Sequence, residues 1–538
     1  MNKFVINSNL NNSNSNNNGE LSLKLGDRVA LVFPNNDPIG FTTAFVACLM
    51  SGLVALPIDV PLARRDAGSQ NLGFLLGQVG ASIVLTSELC FRAFSKNQNE
   101  MIEFKGWPRI PWVVIENLNK SPPKDWAPPN RIAPDAIAYI EYSSLKDGSV
   151  TGVAVTREQM LCHCQTLNSA CQYIEGEYVV CVLDYKREFG LWHGIQSSLF
   201  NGMHMIYVPY SIMKINPAIW LSTITKYKAS VALVKSRDMH WGLMAQRDHK
   251  DVNLSSLRLL LIADGANPWS LSSCDTFLDV FQSKGLKPEC ICPSAGSSET
   301  LTISIRRPNR SGPQSSGRGV LSMSALSYGV VRVDQENSLT SLTLQDVGQV
   351  LPGTLVGVIK LNNLSSLTNT TTSSSTTTTS NTTNNNQPTL CQSDEIGEIC
   401  ISSRSTADRY FDLPGLTTNA FKLILHGTDG KPIGNHEFVR SGLLGFLGPS
   451  GLVFVCGSKE GLIDVSARRH NTDDIIATVL AVEPMKFIYR GRIAVFSIKV
   501  LKDERIIIVA EQRPDATEEE VYIQYFYNFA INWSVFKK

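Results

Sequence analysis

Three polar stretches, each following a short apolar run, carry the side chains best suited to chemistry. The first, Tyr142-Ser143-Ser144-Leu145-Lys146-Asp147-Gly148-Ser149-Val150-Thr151-Gly152-Val153, is rich in hydroxyls and glycine. Read as the link between a strand and a following helix, it can hold an anion on its hydroxyls and backbone N–H groups. An ordinary polar turn has the same composition, so this loop by itself leaves both readings open. The second, Ala263-Asp264-Gly265-Ala266-Asn267-Pro268, offers small residues and carbonyls. The third, Pro293-Ser294-Ala295-Gly296-Ser297-Ser298-Glu299-Thr300, carries one carboxylate. Taken alone, Glu299 reads as a solvated glutamate at a strand end. No structural metal is expected, because Cys162-His163-Cys164 and Cys290-Ile291-Cys292 lack the C-x2-C spacing with which two thiolates close on one zinc. Arg468-Arg469-His470 either faces a phosphate or forms a solvated edge beside Asp473 and Asp474.

Such turns become sites only if a sheet presents them, because open α/β sheets bind ligands at the carboxyl ends of their strands. Apolar β-branched runs do alternate with helical patterns: Val29 to Phe33, Phe41 to Met50, Leu53 to Ile58, Leu72 to Val79 and Ser82 to Thr86. The rhythm resumes at Ile137 to Tyr142 and continues through helix Arg157 to Ala170, strand Tyr178 to Leu183, helix Gly190 to Phe200, strand His204 to Pro209, helix Ala218 to Lys226 and strand Ser230 to Val234. This predicts two stacked α/β sheets. Strand patterns dominate after about residue 310, so a β-rich subdomain should follow, with a further α/β piece from Gly457. Residues 1–24 form a polar tail expected to be disordered, 25–456 the main domain and 457–538 a partial C-terminal subdomain. The Asn/Ser/Thr-rich insert Asn362 to Gln387 cannot bury enough apolar surface to order itself, and should join the strands Val356 to Leu361 and Gly397 to Ser402 of one sheet.

Composition narrows the partners. In 538 residues, 49 Lys+Arg against 48 Asp+Glu leave a net charge of +1, so no overall field draws a polyanion and no nucleic acid is expected. No apolar run reaches membrane-spanning length, and the N-terminal MNKFVINSNL lacks the apolar core of a secretory signal, so the expected compartment is the cytoplasm. Several of the twelve cysteines (Cys48, Cys181, Cys400, Cys456) sit inside apolar patterns and read as buried thiols.

Element order and several strings together resemble adenylate-forming enzymes, specifically fatty-acyl-AMP ligases. PNNDP, RRDAGSQ, EYSSLKDGSVTGV, KSRDMHW, LIADGANPWSLSSCD, RRHNTDDI and AVEPMKFIYRGRIAVFS look like the first of the two ligase-like domains of the disco-interacting protein family, over roughly residues 25 to 520. The resemblance implies the adenylate-forming fold, Mg-ATP held weakly, a fatty acyl or acyl-adenylate ligand, a link to lipid metabolism and a second ligase-like domain in the full-length protein. It assigns Ser143, Ser144, Gly148, Gly152, Gly265, Ala266, Gly296 and Ser298 to the nucleotide, Glu299 to magnesium, and Gly190, Leu191 and Trp192 to the acyl pocket.

The sequence also departs from that pattern. Leu145 stands for a phosphate-loop glycine and Thr151 for its lysine, whose charge-assisted contact is roughly twice as strong as a neutral one. Tyr185-Lys186-Arg187-Glu188-Phe189-Gly190-Leu191 replaces Tyr-His-Asp-Met-Gly-Leu. Leu443 replaces the ribose-binding aspartate of Thr-Gly-Asp, and Gly457-Ser458-Lys459-Glu460 lacks the hinge arginine. Ser316 to Leu326 either matches the insertion associated with excluding coenzyme A or forms a plain hairpin. Both ends are expected to be truncated, without the C-terminal catalytic lysine. Three readings remain: a regulatory, lipid- or nucleotide-sensing module with degraded ATP motifs, which the losses favour; a working Mg-ATP-dependent fatty-acid ligase; and an interaction scaffold.

Overall fold

The computed structural model describes residues 5–6, 22–60, 66–94, 108–118, 127–129, 131–144, 149–245, 251–264, 268–308, 317–335, 341–361, 387–465, 468–472, 475–476, 488–500 and 503–512. Two seven-stranded sheets dominate. In the first, Arg28–Val32 lies centrally between parallel Val54–Ile58 and Ile83–Thr86, with Trp112–Val114 at one edge and Ile137–Ser144, Val150–Thr156 and Arg409–Tyr410 toward the other. In the second, His204–Tyr207, Tyr178–Cys181, Val231–Val234, Leu259–Ile262 and Ile291–Ser297 run parallel, and Leu301–Ile305 returns antiparallel.

The sheets stack around shared apolar surface. Leu31 and Ala55 from the first and Val179, Leu233 and Leu261 from the second belong to one buried cluster, together with Phe41 and Phe45, Leu167, Leu191, Trp192 and Ile195 from the helices. Separate clusters cover the opposite faces: Trp220, Ile224, Phe277 and Phe281 on the second sheet, and Leu72, Leu76 and Val79 on the first. The fold class expected from the alternating rhythm is therefore present.

Local sequence sets the helix limits between the sheets. Helix Pro38–Ser51 begins at Asp37, whose carboxylate accepts the Gly40 N–H at 2.9 Å, with proline in its first turn; Gly52, in the left-handed region at φ 71°, ends it. Helix Arg157–Cys171 opens on a reciprocal capping box between Thr156 and Gln159.

Three expectations change. The stretch Tyr142 to Val153 does not pass directly from strand to helix: Ile137–Ser144 and Val150–Thr156 form an antiparallel hairpin with Ser143 opposite Thr151, and the helix starts at Arg157 as expected. The β-branched run VTGVAVT satisfies its backbone in the sheet, and the helix follows directly from the Thr156 cap. Gly190 to Phe200 is π-helical over Gly190–Ser197 before an α-turn, Ser198–Asn201. Cys456 is half-buried where burial was expected, whereas Cys48, Cys181 and Cys400 are buried; none of the twelve cysteines is in a disulfide.

Beyond residue 310 strands prevail. Leu355–Ile359 pairs antiparallel with Gly397–Ser402, which pairs with the long strand Pro432–Leu447. These strands flank residues 362–386, which lie outside the described residues, as does nearly all of 1–24. Arg318–Ser322 pairs antiparallel with Ser341–Gln345 and a short helix, Met323–Ser327, lies between them. Described parts after Gly457 include the hairpins Leu462–Val465 with Arg468–Asn471 and Ile488–Val500 with Asp503–Gln512. No helix among the described residues is long and apolar enough to cross a membrane.

Candidate functional site

Inward from the hairpin, side chains alternate between its faces. Tyr139 enters the large cluster between the sheets while Ile140 enters the cluster on the other face. Glu141 is again on the Tyr139 side, 6 % exposed, and accepts the Glu188 N–H at 3.1 Å. Burial, reinforced by the Glu188 charge, pushes its carboxyl up to about 8. Glu188 itself adopts a positive φ of 45°, which turns its N–H toward Glu141 at some backbone cost.

Glu299 completes this acidic rim. It sits in the turn between Ile291–Ser297 and Leu301–Ile305, beside Ser298, and both are half-buried. The Tyr410 hydroxyl donates to Glu299 Oε1 at 2.9 Å, and burial raises the carboxyl above its ordinary value. Ser297 and Thr300 hydroxyls bond across the same turn at 2.9 Å. Gly296 lies at a register shift where a Cβ would meet the Leu301 carbonyl at 2.5 Å and the Phe189 ring at 3.2 Å, so only glycine lets these strands close over Phe189. No group of three or more His, Cys, Asp or Glu positioned to hold a metal occurs among the described residues.

The hydroxyls of the first stretch are engaged with one another: Ser143 Oγ and Thr151 Oγ1 lie 3.3 Å apart, and Thr151 is buried. A Cβ on Gly152 would come within 2.5 Å of the Tyr142 ring, so this glycine serves packing. The Ser144 side chain, Gly148, Gly265 and Ala266 lie outside the described residues. Of the second stretch, Ala263 is buried and the Asp264 carboxylate accepts the Ser236 N–H at 2.8 Å.

Gly190, Leu191 and Trp192 are all buried in the π-helical segment. A Cβ on Gly190 would overlap the Asp184 carbonyl. Trp192 meets the His163 ring edge-on at 5.6 Å and Phe189 at 5.2 Å. Just before this segment, Lys186 is 1 % exposed, donates to Asn35 Oδ1 and faces Asp59 at 3.6 Å; Arg187 pairs with Asp59 at 2.7 Å. Asp59 thus holds the two cations that stand where the ligases have His-Asp.

The surroundings of Leu443, which the resemblance sets where the ligases bind ribose, are apolar. Leu443 is 4 % exposed and packs in a cluster with Ala295, Ile303, Ile399, Ile401, Val453 and Val455. Its neighbour Arg440 and the hinge residue Lys459 both bind Glu398 Oε2, at 2.5 and 3.1 Å, and the Lys459 N–H donates to the Gly442 carbonyl. Arg468 stacks on Tyr328 and donates to its hydroxyl at 3.0 Å, so it does not stand as a bare phosphate contact.

Reading the sequence alone passed over Glu141, Tyr410, Tyr139 and Gln196, and weighed His163 only as a metal ligand. Only Glu141 announces itself, as an acid at an inward position of an apolar strand.

These positions can be set beside known proteins. Residues 19–337 match the family model described as AMP-binding enzyme. Disco-interacting protein 2 of Drosophila melanogaster is 55 % identical over 94 % of this chain, and disco-interacting protein 2 homolog B of Homo sapiens 53 % identical over 93 %. The chain spans only 28 % and 30 % of those two relatives. A fatty acyl-adenylate ligase from L. pneumophila, solved with acyl adenylate and pyrophosphate, shares the fold at a TM-score of 0.69 and 20 % identity, over 95 % of this chain and 81 % of that one. The chain belongs to the AMP-binding enzyme family, shares the fold of fatty acyl-adenylate ligases and is similar in sequence to part of the disco-interacting protein 2 proteins.

Proposed function

We propose that this domain binds an acyl chain, as the free acid or its adenylate, and acts as a regulatory, ligand-sensing module of a longer protein in the cytoplasm, with little turnover of ATP. The observation that carries this reading is the burial of Leu443 in an apolar cluster at the position where the ligases place the carboxylate for ribose. No side-chain oxygen is available there to accept from the sugar hydroxyls. Thr151, at the lysine position, supplies no cation and spends its hydroxyl on Ser143. The residues present therefore fit Mg-ATP poorly, although Glu299 is retained.

Acyl recognition needs less charge. The segment Gly190–Ser197 and helix Arg157–Cys171 lie between the sheets, where apolar surface is deepest. In this reading Glu299, Ser298 and Gly296 would line the entrance to that region, and Ser143, Ser144, Gly148, Gly152, Gly265 and Ala266 would face an adenylate without the phosphate grip. A second reading, Mg-ATP-dependent adenylation, draws on Glu299 alone.

Calorimetric titration of the chain separates these. A non-hydrolysable acyl-adenylate analogue and medium- to long-chain acids are expected to bind at least about tenfold tighter than Mg-ATP, with affinity rising by up to about 0.8 kcal/mol per buried methylene. Mg-ATP binding as tightly as the analogue would overturn the reading. Affinity independent of chain length would point to a scaffold.

A further inference from the structure

Behind the acidic rim lies a set of buried polar groups that neither packing nor the reading above uses. The Tyr139 hydroxyl, His163 Nδ1, Trp192 Nε1, both amide atoms of Gln196, the Ser197 hydroxyl and the Thr302 hydroxyl are all shielded from solvent, and none makes a hydrogen bond of ordinary geometry to another protein group, although the Cys164 thiol lies beside the Ser197 hydroxyl. They converge from four elements: strand Ile137–Ser144, helix Arg157–Cys171, the π-helical segment Gly190–Ser197 and strand Leu301–Ile305. The rings link them, since His163 meets Trp192 edge-on and Trp192 packs on Phe189. Gln196 and the Trp192 indole lie close enough to the Tyr139 hydroxyl to favour its ionised form, yet none of the three completes a hydrogen bond of ordinary geometry.

Buried polar groups are nearly always paired, because an unpaired one has lost its water for nothing. A cluster of this size at one place therefore marks a function or a bound partner. Three of its members, Trp192, Gln196 and Ser197, lie on the π-helical segment, a backbone form uncommon in itself and enriched at functional sites.

We propose that this cluster recognises a neutral oxygen, a hydroxyl or a carbonyl, in the chain of the acid that the domain binds; the proposal rests on the acyl-binding reading above. The chemistry of the groups selects that class. His163 Nε2 accepts the Thr302 N–H at 3.4 Å, so its remaining proton is on Nδ1 and faces the cluster as a donor. The indole N–H is a donor only, and the hydroxyls and the amide can donate or accept. Burial pushes the His163 imidazole down to about 3, so it stays neutral, and a second charged group on the ligand would find no counter-ion among these donors. A plain alkyl chain would leave every one of these groups unpaired.

Position supports the same reading. Tyr139 is one pleat inward from Glu141 on the same strand face, about 7 Å along the strand. A ligand whose carboxyl lay beside Arg187, whose charge reaches Glu141, would pass its chain toward Tyr139. Gln196 and Trp192 have no side-chain hydrogen bonds holding their rotamers, so turning them aside works against packing alone.

The test is titration of the full chain with decanoic acid beside hydroxydecanoic and oxodecanoic acids carrying the oxygen at successive carbons. One oxygenated isomer is expected to bind about tenfold tighter than decanoic acid, and Tyr139→Phe or Gln196→Met to reduce that preference several-fold while leaving affinity for decanoic acid nearly unchanged. Tyr139→Phe should not lower the thermal unfolding midpoint, since it removes an unpaired hydroxyl. Equal binding of alkyl and oxygenated acids, with no change in either variant, would overturn this proposal and leave the acyl-binding reading standing. A large loss of stability in Tyr139→Phe would also overturn it, by showing that trapped solvent already pairs the hydroxyl. Failure of every acid to bind would overturn both.

Discussion

Replacing Glu141 by glutamine is expected to raise the thermal unfolding midpoint by several degrees at pH 8 and to leave it nearly unchanged at pH 5. The carboxyl has an ordinary value of 4.5 and is pushed up to about 8 in the folded chain, first by burial and then by Glu188. An acid whose folded value is raised binds more protons folded than unfolded between those limits, so wild-type stability falls as pH rises from about 4.5 to about 8. Below 4.5 both states are protonated and nothing is lost. Each unit of separation is worth about 1.4 kcal/mol, which puts the upper bound of the loss at about 5 kcal/mol. Glutamine is neutral throughout and its carbonyl can still accept the Glu188 N–H, so the slope should disappear. Melting curves of both proteins across this range decide the matter; parallel curves would mean that Glu141 is ionised and solvated in the fold.

The second large effect concerns the ribose position. Leu443→Asp restores the ligases' residue type, and in a latent enzyme it would improve nucleotide binding. Here it is expected to lower unfolding stability by about 4 kcal/mol or more, because it removes a buried side chain from the cluster with Ile399 and Val453 and puts a charge in its place. Leu443→Met, close in volume, should cost less than about 1.5 kcal/mol. Denaturant unfolding of the two variants measures the difference. An aspartate variant as stable as wild type, with tighter ATP binding, would show that the position opens to solvent and ligand.

The layered fold was legible because its causes are local and periodic. Runs such as VALVF, LVALPI and SVALV can only be strands buried on both faces, and the patterns between them can only return the chain across the sheet. The hairpin was not legible: VTGVAVT contains a glycine in a short run beside a hydroxyl-rich stretch, and nothing within those residues says that Thr151 faces Ser143. Eight residues are too few for a π-helical period to stand out from an α-helical one, so the backbone of Gly190–Ser197 could not be foreseen.

The site was legible only where one residue type in one motif carries the chemistry. Glu299, Thr151 and Leu443 could be weighed against a pattern because each stands alone in its role. Tyr139, Gln196 and Thr302 are unremarked in sequence because each is ordinary on its own element, and His163 stood out there only beside two cysteines. Their interest comes from convergence across up to 163 residues of chain, from Tyr139 to Thr302, and only the packed sheets create that.

Whether the domain senses or catalyses is tested most directly by fatty-acid-dependent exchange of labelled pyrophosphate into ATP. Losing one positioned transition-state donor typically costs about 10² to 10³ in rate, and the proposed reading takes both the phosphate-loop and ribose positions, at Thr151 and Leu443, as altered. The chain is expected to show no exchange above the enzyme-free blank with any acid that it binds by titration, and Glu299→Ala to leave that blank value unchanged. Robust exchange that depends on the acid and is abolished by Glu299→Ala would contradict the sensing role and identify a working ligase.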